Sequence, residues 1–341
     1  MRFFVFIFGI LLPFVLNAQI STPTKDTAKK EKPWKVFGMI YGGLFTNITE
    51  NYASPKTAFE VKSAILGYKN QFAENVDATI MLDVSKTTRD IKLKYDTTSV
   101  SFTEGNNYTF YLKQAEIQWK INTFLELSLG QLLSSQYLLT QDKWWDHRYI
   151  YYTFQEVCKY GAPADFGARL KWIPVKNIAV SASVLNGDGP SRWQDNNSKF
   201  QYCGDVEYRL KDSLVFKLYA DYREPLTSGN NVKPQSVFNF FAGYIVGQFR
   251  FGAGASYIYR ADYMNKDASG ASGYIIYKFL KKFEAFSRYD YFKDIKTFSE
   301  NHFLLTGLQY EPAKNFFLSV NYRELWPEKT AQIFLNFGAK F

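Results

Sequence analysis

Ala331-Gln-Ile-Phe-Leu-Asn-Phe-Gly-Ala-Lys-Phe341, the last stretch of the chain, decides how the rest is read. At period two, Ala331, Ile333, Leu335, Phe337, Ala339 and Phe341 share one face, and Gln332, Phe334, Asn336, Gly338 and Lys340 share the other. A strand of about ten residues, apolar on one face, is long enough to cross a bilayer when tilted. Lipid offers the backbone no hydrogen-bond partner, so such a strand survives only in a sheet closed on itself. The pattern therefore predicts an all-β, transmembrane antiparallel β-barrel, in which this final strand closes against the first.

Composition agrees. Of the 341 residues, 19% are aromatic, with 25 Tyr and 32 Phe, a share that suits two interfacial girdles. Residues 1–18, MRFFVFIFGILLPFVLNA, carry Arg2, an apolar stretch and a small residue at the end. They are read as a cleaved secretory signal peptide rather than a membrane helix. No apolar run of helical span length follows, and mean hydropathy is −0.27, which excludes a helical membrane protein. Residues 19–33, rich in Lys, Thr and Pro, read as a disordered periplasmic leader, leaving 34–341 as one barrel domain. Loss of Arg2 lowers the formal charge from +9 to +8, an excess that suits a cationic lumen or, equally, lysines on turns. It gives no basic cluster of the kind that binds nucleic acid.

From Trp34 onward, sixteen segments have strand character: 34–45, 58–68, 75–84, 108–120, 124–132, 163–172, 177–186, 199–210, 213–224, 237–246, 248–260, 270–280, 282–292, 301–311, 315–324 and 331–341. Their connections alternate between short and long. Pro174-Val-Lys-Asn177 and Lys211-Asp212 are short; 46–57, 85–107, 133–162, 187–198, 225–236 and 261–269 are long. Short periplasmic turns, long external loops and an even strand number describe a bacterial outer-membrane barrel. Fourteen or eighteen strands stay open as alternatives.

The most unusual connection is Leu133–Ala162, with Gln141-Asp-Lys-Trp-Trp-Asp-His-Arg-Tyr-Ile-Tyr-Tyr-Thr-Phe-Gln-Glu-Val-Cys-Lys-Tyr-Gly161 inside it. Thirty residues this aromatic are not expected to stay solvated. The expectation is an inward fold that narrows the pore, set against a surface plug or a trimer contact. The polar faces of the strands mix Arg169, Lys171, Arg209, Lys217, Arg223, Arg250, Arg260, Arg288 and Arg323 with Asp77, Asp83, Glu116, Asp165, Asp205, Glu207, Asp221, Glu284 and Asp290. With Asp142, Asp146, Arg148 and Glu156 of the loop, the cations are candidate pore-lining or constriction residues, because opposed charges sort solutes by charge and dipole. Mutual neutralisation is the alternative for each of them.

Thr153-Phe-Gln-Glu-Val-Cys-Lys-Tyr-Gly-Ala-Pro-Ala-Asp-Phe-Gly167 followed by Val184-Leu-Asn-Gly-Asp-Gly189 resembles a group of bacterial porins. These are the porins grouped with the phosphate-selective porins O and P, as found in Bacteroidetes-type genomes. The resemblance implies a sixteen-stranded, trimeric diffusion channel whose third external loop forms the constriction. It does not carry phosphate selectivity, for want of a dense Lys/Arg ladder here. The terminal Phe341 is similar to the assembly signal of bacterial outer-membrane proteins, which makes the barrel-assembly machinery and outer-membrane lipid expected partners.

Cys158 lies in the long loop and Cys203 on the polar face of the eighth strand, in an oxidising compartment. A bond between them would pin the loop to the wall; two separate thiols are the alternative. His147 and His302 sit in no nucleophile motif, and neither a Gly-x-Ser-x-Gly nor a zinc-type spacing occurs. The chain is therefore read as non-enzymatic, without cofactor or metal. The leading expectation is a porin for small hydrophilic or anionic solutes in the bacterial outer membrane. A surface-binding or adhesion barrel with a closed lumen is the second reading, and an outer-membrane hydrolase the third.

Overall fold

A computed structural model of the chain describes residues 33–49, 56–95, 98–190, 199–225 and 232–341, with backbone only for 85–95 and 98–107. Of the expected signal peptide, 1–18, and leader, 19–33, all but residue 33 lies outside the described residues. The strands are β1 Trp34–Asn47, β2 Thr57–Ala73, β3 Val76–Tyr95, β4 Thr98–Lys120, β5 Leu125–Leu133, β6 Ala164–Val175, β7 Ile178–Leu185 and β8 Gln201–Leu210. They continue as β9 Leu214–Arg223, β10 Gln235–Val246, β11 Phe249–Tyr259, β12 Ala268–Leu280, β13 Phe283–Lys293, β14 Glu300–Ala313, β15 Phe316–Trp326 and β16 Thr330–Lys340. All sixteen pair antiparallel with their sequence neighbours, and β1 pairs with β16 to close the barrel.

The closing strand behaves as its sequence requires. Ile333, Leu335, Phe337 and Phe341 are exposed on the outer face, whereas Phe334 and Asn336 are buried on the other. The seam runs from Met39 opposite Lys340 to Asn47 opposite Gln332. Gly38 and Phe341 extend it by exchanging backbone hydrogen bonds of 2.9 and 3.0 Å. The Phe341 ring lies flat over Gly38, where a Cβ would overlap it, and Phe337 lies over Gly42, whose Cβ would come within 2.6 Å of Cζ. Aromatic rings thus cover two of the three glycines of β1, which offer no side chain of their own to the seam.

Three differences from the sequence reading have physical causes. First, 85–107 is not an irregular loop: β3 and β4 run on as one hairpin to Tyr95 opposite Thr98. The ladder satisfies backbone groups that a loose loop would leave to solvent. Second, the polar face is apolar in part. Phe241, Tyr274, Ile276, Phe286, Phe303 and Leu305 are buried there, clustered with Tyr41 and with Trp144, Trp145, Tyr149 and Ile150 of the 134–163 connection. An aromatic connection needs an apolar wall to bury its rings, so the period-two rule yields on these strands. Third, the cysteines are unbonded. Cys158 packs with Phe154, Tyr160, Val237 and Ile258, while Cys203 takes a hydrogen bond from the Tyr219 hydroxyl at 3.4 Å on β8. Each thiol is buried among different strands, so no disulfide pins the connection to the wall.

Two bulges re-aim side chains. Tyr41 faces Ser63 and Gly42 faces Val61, which leaves Lys62 of β2 as the extra residue. Met81 faces Gln114 and Leu82 faces Leu112, which leaves Lys113 of β4 likewise extra.

Candidate functional site

A cavity of about 570 Å³ lies toward the end of the barrel that carries the tight turns, bordered by β2–β9 and the start of the 134–163 connection. Its lining includes Lys69, Glu116, Glu126, Lys143, Arg169, Lys171, Asp205, Glu207, Arg209 and Lys217. The strand period places these groups, because alternate residues of β6, β8 and β9 share one face. Some charges are neutralised. Lys217 Nζ sits 3.2 Å from Asp205 and 3.9 Å from Glu207, and Arg209 holds Glu207 at 2.9 Å. Thr140 Oγ donates a further short hydrogen bond to Glu207. Others are not: among the described residues Lys143, Arg169 and Lys171 make no ion pair within 4.0 Å. Lys171 stands opposite Glu126 across the β5–β6 ladder without reaching it. Arg169 gives Nη2 to the Leu133 carbonyl, and its buried Nε has no partner among the described residues. Lys143, on the short helix α1 (Gln141–Trp145), has its amine pushed below the ordinary lysine range. Burial is the main cause; the charges of Arg209, Lys171 and Lys217 add to it, and Glu207 opposes.

The connection 134–163 is anchored by its own ion cluster and by the wall. Arg148 bonds Asp142 at 2.8 Å and Glu156, on the short helix α2 (Phe154–Val157), through both guanidinium nitrogens at 2.8 and 2.7 Å. Burial works against the Glu156 charge, yet Arg148 overcomes it and holds that carboxyl below its usual range. At Asp142 burial prevails over Arg148, and the carboxyl titrates above its usual range. Toward the wall, Tyr149 donates to Gln309 at 2.8 Å and Trp144 Nε1 to the Phe251 carbonyl at 3.2 Å. Arg288 and Arg323 donate to the Tyr152 and Ile150 carbonyls at 2.7 and 2.9 Å. Asp146 meets Lys340 of the closing strand at 3.1 Å and Arg250 at 3.7 Å. Gly243 and Gly338 give Trp144 and Tyr149 their seats, since a Cβ at either would collide with the ring.

The candidate residues thus divide. Arg169, Lys171, Arg209 and Lys217 come together around the cavity. Asp142, Arg148 and Glu156 form the internal anchor, and Asp146, Arg250, Arg288 and Arg323 join the connection to the strands. Arg288 is also fully engaged with Asp290 at 2.6 Å. Arg223, at the end of β9, packs against Gly187. Arg260 departs from its expected place: a left-handed φ of 59° ends β11 before it, and its guanidinium stacks 4.6 Å from the Tyr259 ring, which faces outward. Lys62, Lys113 and Lys143 were not among the sequence candidates. The signal for the first two is a phase change, from Phe59 and Val61 to Ala64 and Leu66, and from Phe110 and Leu112 to Ala115 and Ile117. Lys143 carries no such signal. His147 is buried 3.3 Å from Glu284, and His302 lies 2.6 Å from the Tyr289 hydroxyl; the two are in separate surroundings. Among the described residues no cluster of His, Cys, Asp and Glu has a metal-binding arrangement.

The fold is similar to those of solved outer-membrane proteins. Salmonella typhi OmpF, solved in complex with daunomycin, superposes with a TM-score of 0.66 at 13% identity, over 90% of this chain and 97% of that one. The outer-membrane channel DcaP of Acinetobacter baumannii gives 0.61 at 11% identity, covering 90% and 97%. An anion-selective porin from Comamonas acidovorans gives 0.60 at 10%, covering 90% and 99%. At such identities the likeness is one of fold. No curated protein matches the sequence. Residues 47–338 match the family model described as "Putative beta-barrel porin-2, OmpL-like". The match agrees with the resemblance in giving a porin and does not extend to the phosphate-selective O and P group. With most of its length inside the match, the chain belongs to the OmpL-like beta-barrel porin-2 family.

Proposed function

We propose that this protein is a passive diffusion channel of the bacterial outer membrane for small hydrophilic solutes, with a preference for anions. The observation that carries the reading is the cavity between β2–β9 and the 134–163 connection. Its Lys143, Arg169 and Lys171 lack carboxylate partners among the described residues. Uncompensated cations in a polar, low-dielectric passage raise the local concentration of anions, and the interleaved Glu116, Asp205 and Glu207 give the field a transverse component. The connection serves as the constriction loop, folded into the lumen against β1 and β9–β16. Its hydrogen bonds to the buried face of those strands support this; Lys62 and Glu207 also hold it from the other side, where the cavity is left for the solute path. The resemblance to O and P porins adds nothing to phosphate over other anions, because the cations are few and interspersed with acids.

Export by residues 1–18, insertion by the barrel-assembly machinery and a trimeric assembly complete the proposal. A Vibrio cholerae OmpT structure of this fold is described in a trimer form, which supports the last. The closed-lumen scaffold has one observation in its favour: Tyr137, Trp145, Tyr149, Ile150 and Phe154 are fully buried, as in a plug. Single-channel recording in planar bilayers separates the two. Stepwise conductance with a reversal potential of anion-selective sign in a KCl gradient is expected. Folded protein that inserts without steps would instead favour the scaffold.

A further inference from the structure

A second cavity of about 310 Å³ lies toward the opposite end of the barrel, where the long connections are. Lys62, brought there by the β2 bulge, and Arg323 of β15 converge on one acceptor, the Ile150 carbonyl, at 2.7 and 2.9 Å. Neither cation has a carboxylate within 4.0 Å among the described residues, and Arg323 is 6% exposed. The nearby acids are already engaged. Asp83 is held by Lys113 and Ser63 at 2.6 Å each and by Tyr111 at 3.0 Å, and Glu156 by Arg148. Arg323 also donates Nε to Asn321 at 2.9 Å and Nη2 to Asn336 at 3.0 Å, so both cations are met by neutral acceptors, and Glu60 is the remaining carboxylate of the lining. Two positive charges, one buried and one half-buried, that share a neutral oxygen repel each other, and an anion between them would relieve both repulsion and desolvation.

The walls narrow the class of anion. Lys62 Nζ stands 4.2 Å from the Tyr152 ring centre, and the Arg323 guanidinium 5.1 Å from that of Tyr151. Tyr111 adds a third ring to the lining. A guanidinium and an ammonium recognise a carboxylate, and tyrosine faces accept a flat apolar body by stacking. We propose that this cavity is a binding site for small planar organic carboxylates, entered from the long-connection end and separate from the cavity near the turns. The site rests on the lumenal placement of 134–163 but not on conduction.

Titration calorimetry on the full folded chain in detergent tests it, with benzoate as probe and acetate as comparison. Saturable benzoate binding, at one per chain and tighter than acetate, is expected. It should weaken by about tenfold or more in Lys62→Gln and Arg323→Gln. Arg323→Lys, which keeps the charge and loses the planar fork, should lose less, and Tyr152→Leu should cost benzoate affinity while sparing acetate. The retained fold of each variant is read from heat-modifiable gel mobility. Absence of saturable heat, equal binding of acetate and benzoate, or unchanged affinity in both charge-removing variants would overturn the proposal. Benzoate binding by a protein that shows no conductance would uphold this site and overturn the channel instead.

Discussion

At the scale of single residues, the seam and the cavity make different demands. Gly38 matters by contact: a Cβ there would overlap the tip of the Phe341 ring, which would have to turn off the seam while the two backbone bonds of the pair stay. Gly38→Val is therefore expected to slow assembly about as severely as deletion of Phe341, read from the fraction of heat-modifiable protein. Conductance per inserted channel should stay near the wild-type value. Lys143 is exposed to pH because burial and the neighbouring cations lower its pKa. A base with a lowered pKa loses its charge earlier as pH rises. Anion preference, measured as reversal potential, should fall before pH reaches the ordinary lysine range near ~10.4. Lys143→Gln should flatten that dependence and show the weaker preference at neutral pH. An unchanged profile in the variant would remove Lys143 from the solute path. The residue was not legible in advance, because nothing in Gln141-Asp-Lys-Trp-Trp145 says which side chain faces a cavity.

At the scale of elements, the 134–163 connection holds together around Arg148. Glu156 has a lowered folded pKa, so its contribution is complete above the ordinary carboxylate range and is lost as pH falls through the lowered value. Asp142 has the opposite shift, and its protonation on acidification offsets part of the loss. Glu156→Gln should cost the connection about 3 kcal/mol, the scale for breaking a buried pair. Hydrogen exchange of amides 140–158 should then run roughly a hundredfold faster at pH 7, a difference that narrows in acid. Equal exchange rates would mean that wall contacts alone hold the connection. The β2 and β4 bulges belong to this scale too. Each was written in the sequence as a shift in the apolar phase, but only the ladder registers show that Lys62 and Lys113 are the residues displaced.

At the scale of the whole molecule, the barrel and the connection are separable. Sixteen ladders close the sheet without help from 134–163, so replacing residues 136–160 by a short Gly/Ser linker should leave heat-modifiable folding intact. On the proposed constriction role of the connection, single-channel conductance should rise several-fold once its aromatic cluster is removed. An intact barrel with unchanged conductance would place the connection outside the solute path.

What the sequence determined by itself was the barrel: a closed antiparallel sheet sealed by its first and last strands, and the outer face of most strands, while the structure settled the count at sixteen. Those follow from period-two alternation and from the demand that every backbone group find a partner in lipid, both of which are local and repeat sixteen times. What only the tertiary structure decided was the interior. Compartment and face left a bond and two separate thiols equally open for Cys158 and Cys203, and the structure has two separate thiols; part of the polar wall is apolar because an aromatic connection rests on it. Which cations stay unpaired depends on contacts between residues tens to hundreds of positions apart, such as Arg323 with Ile150 and Lys340 with Asp146. Such pairings are set by how one connection crosses a closed sheet, and no spacing along the chain encodes that path.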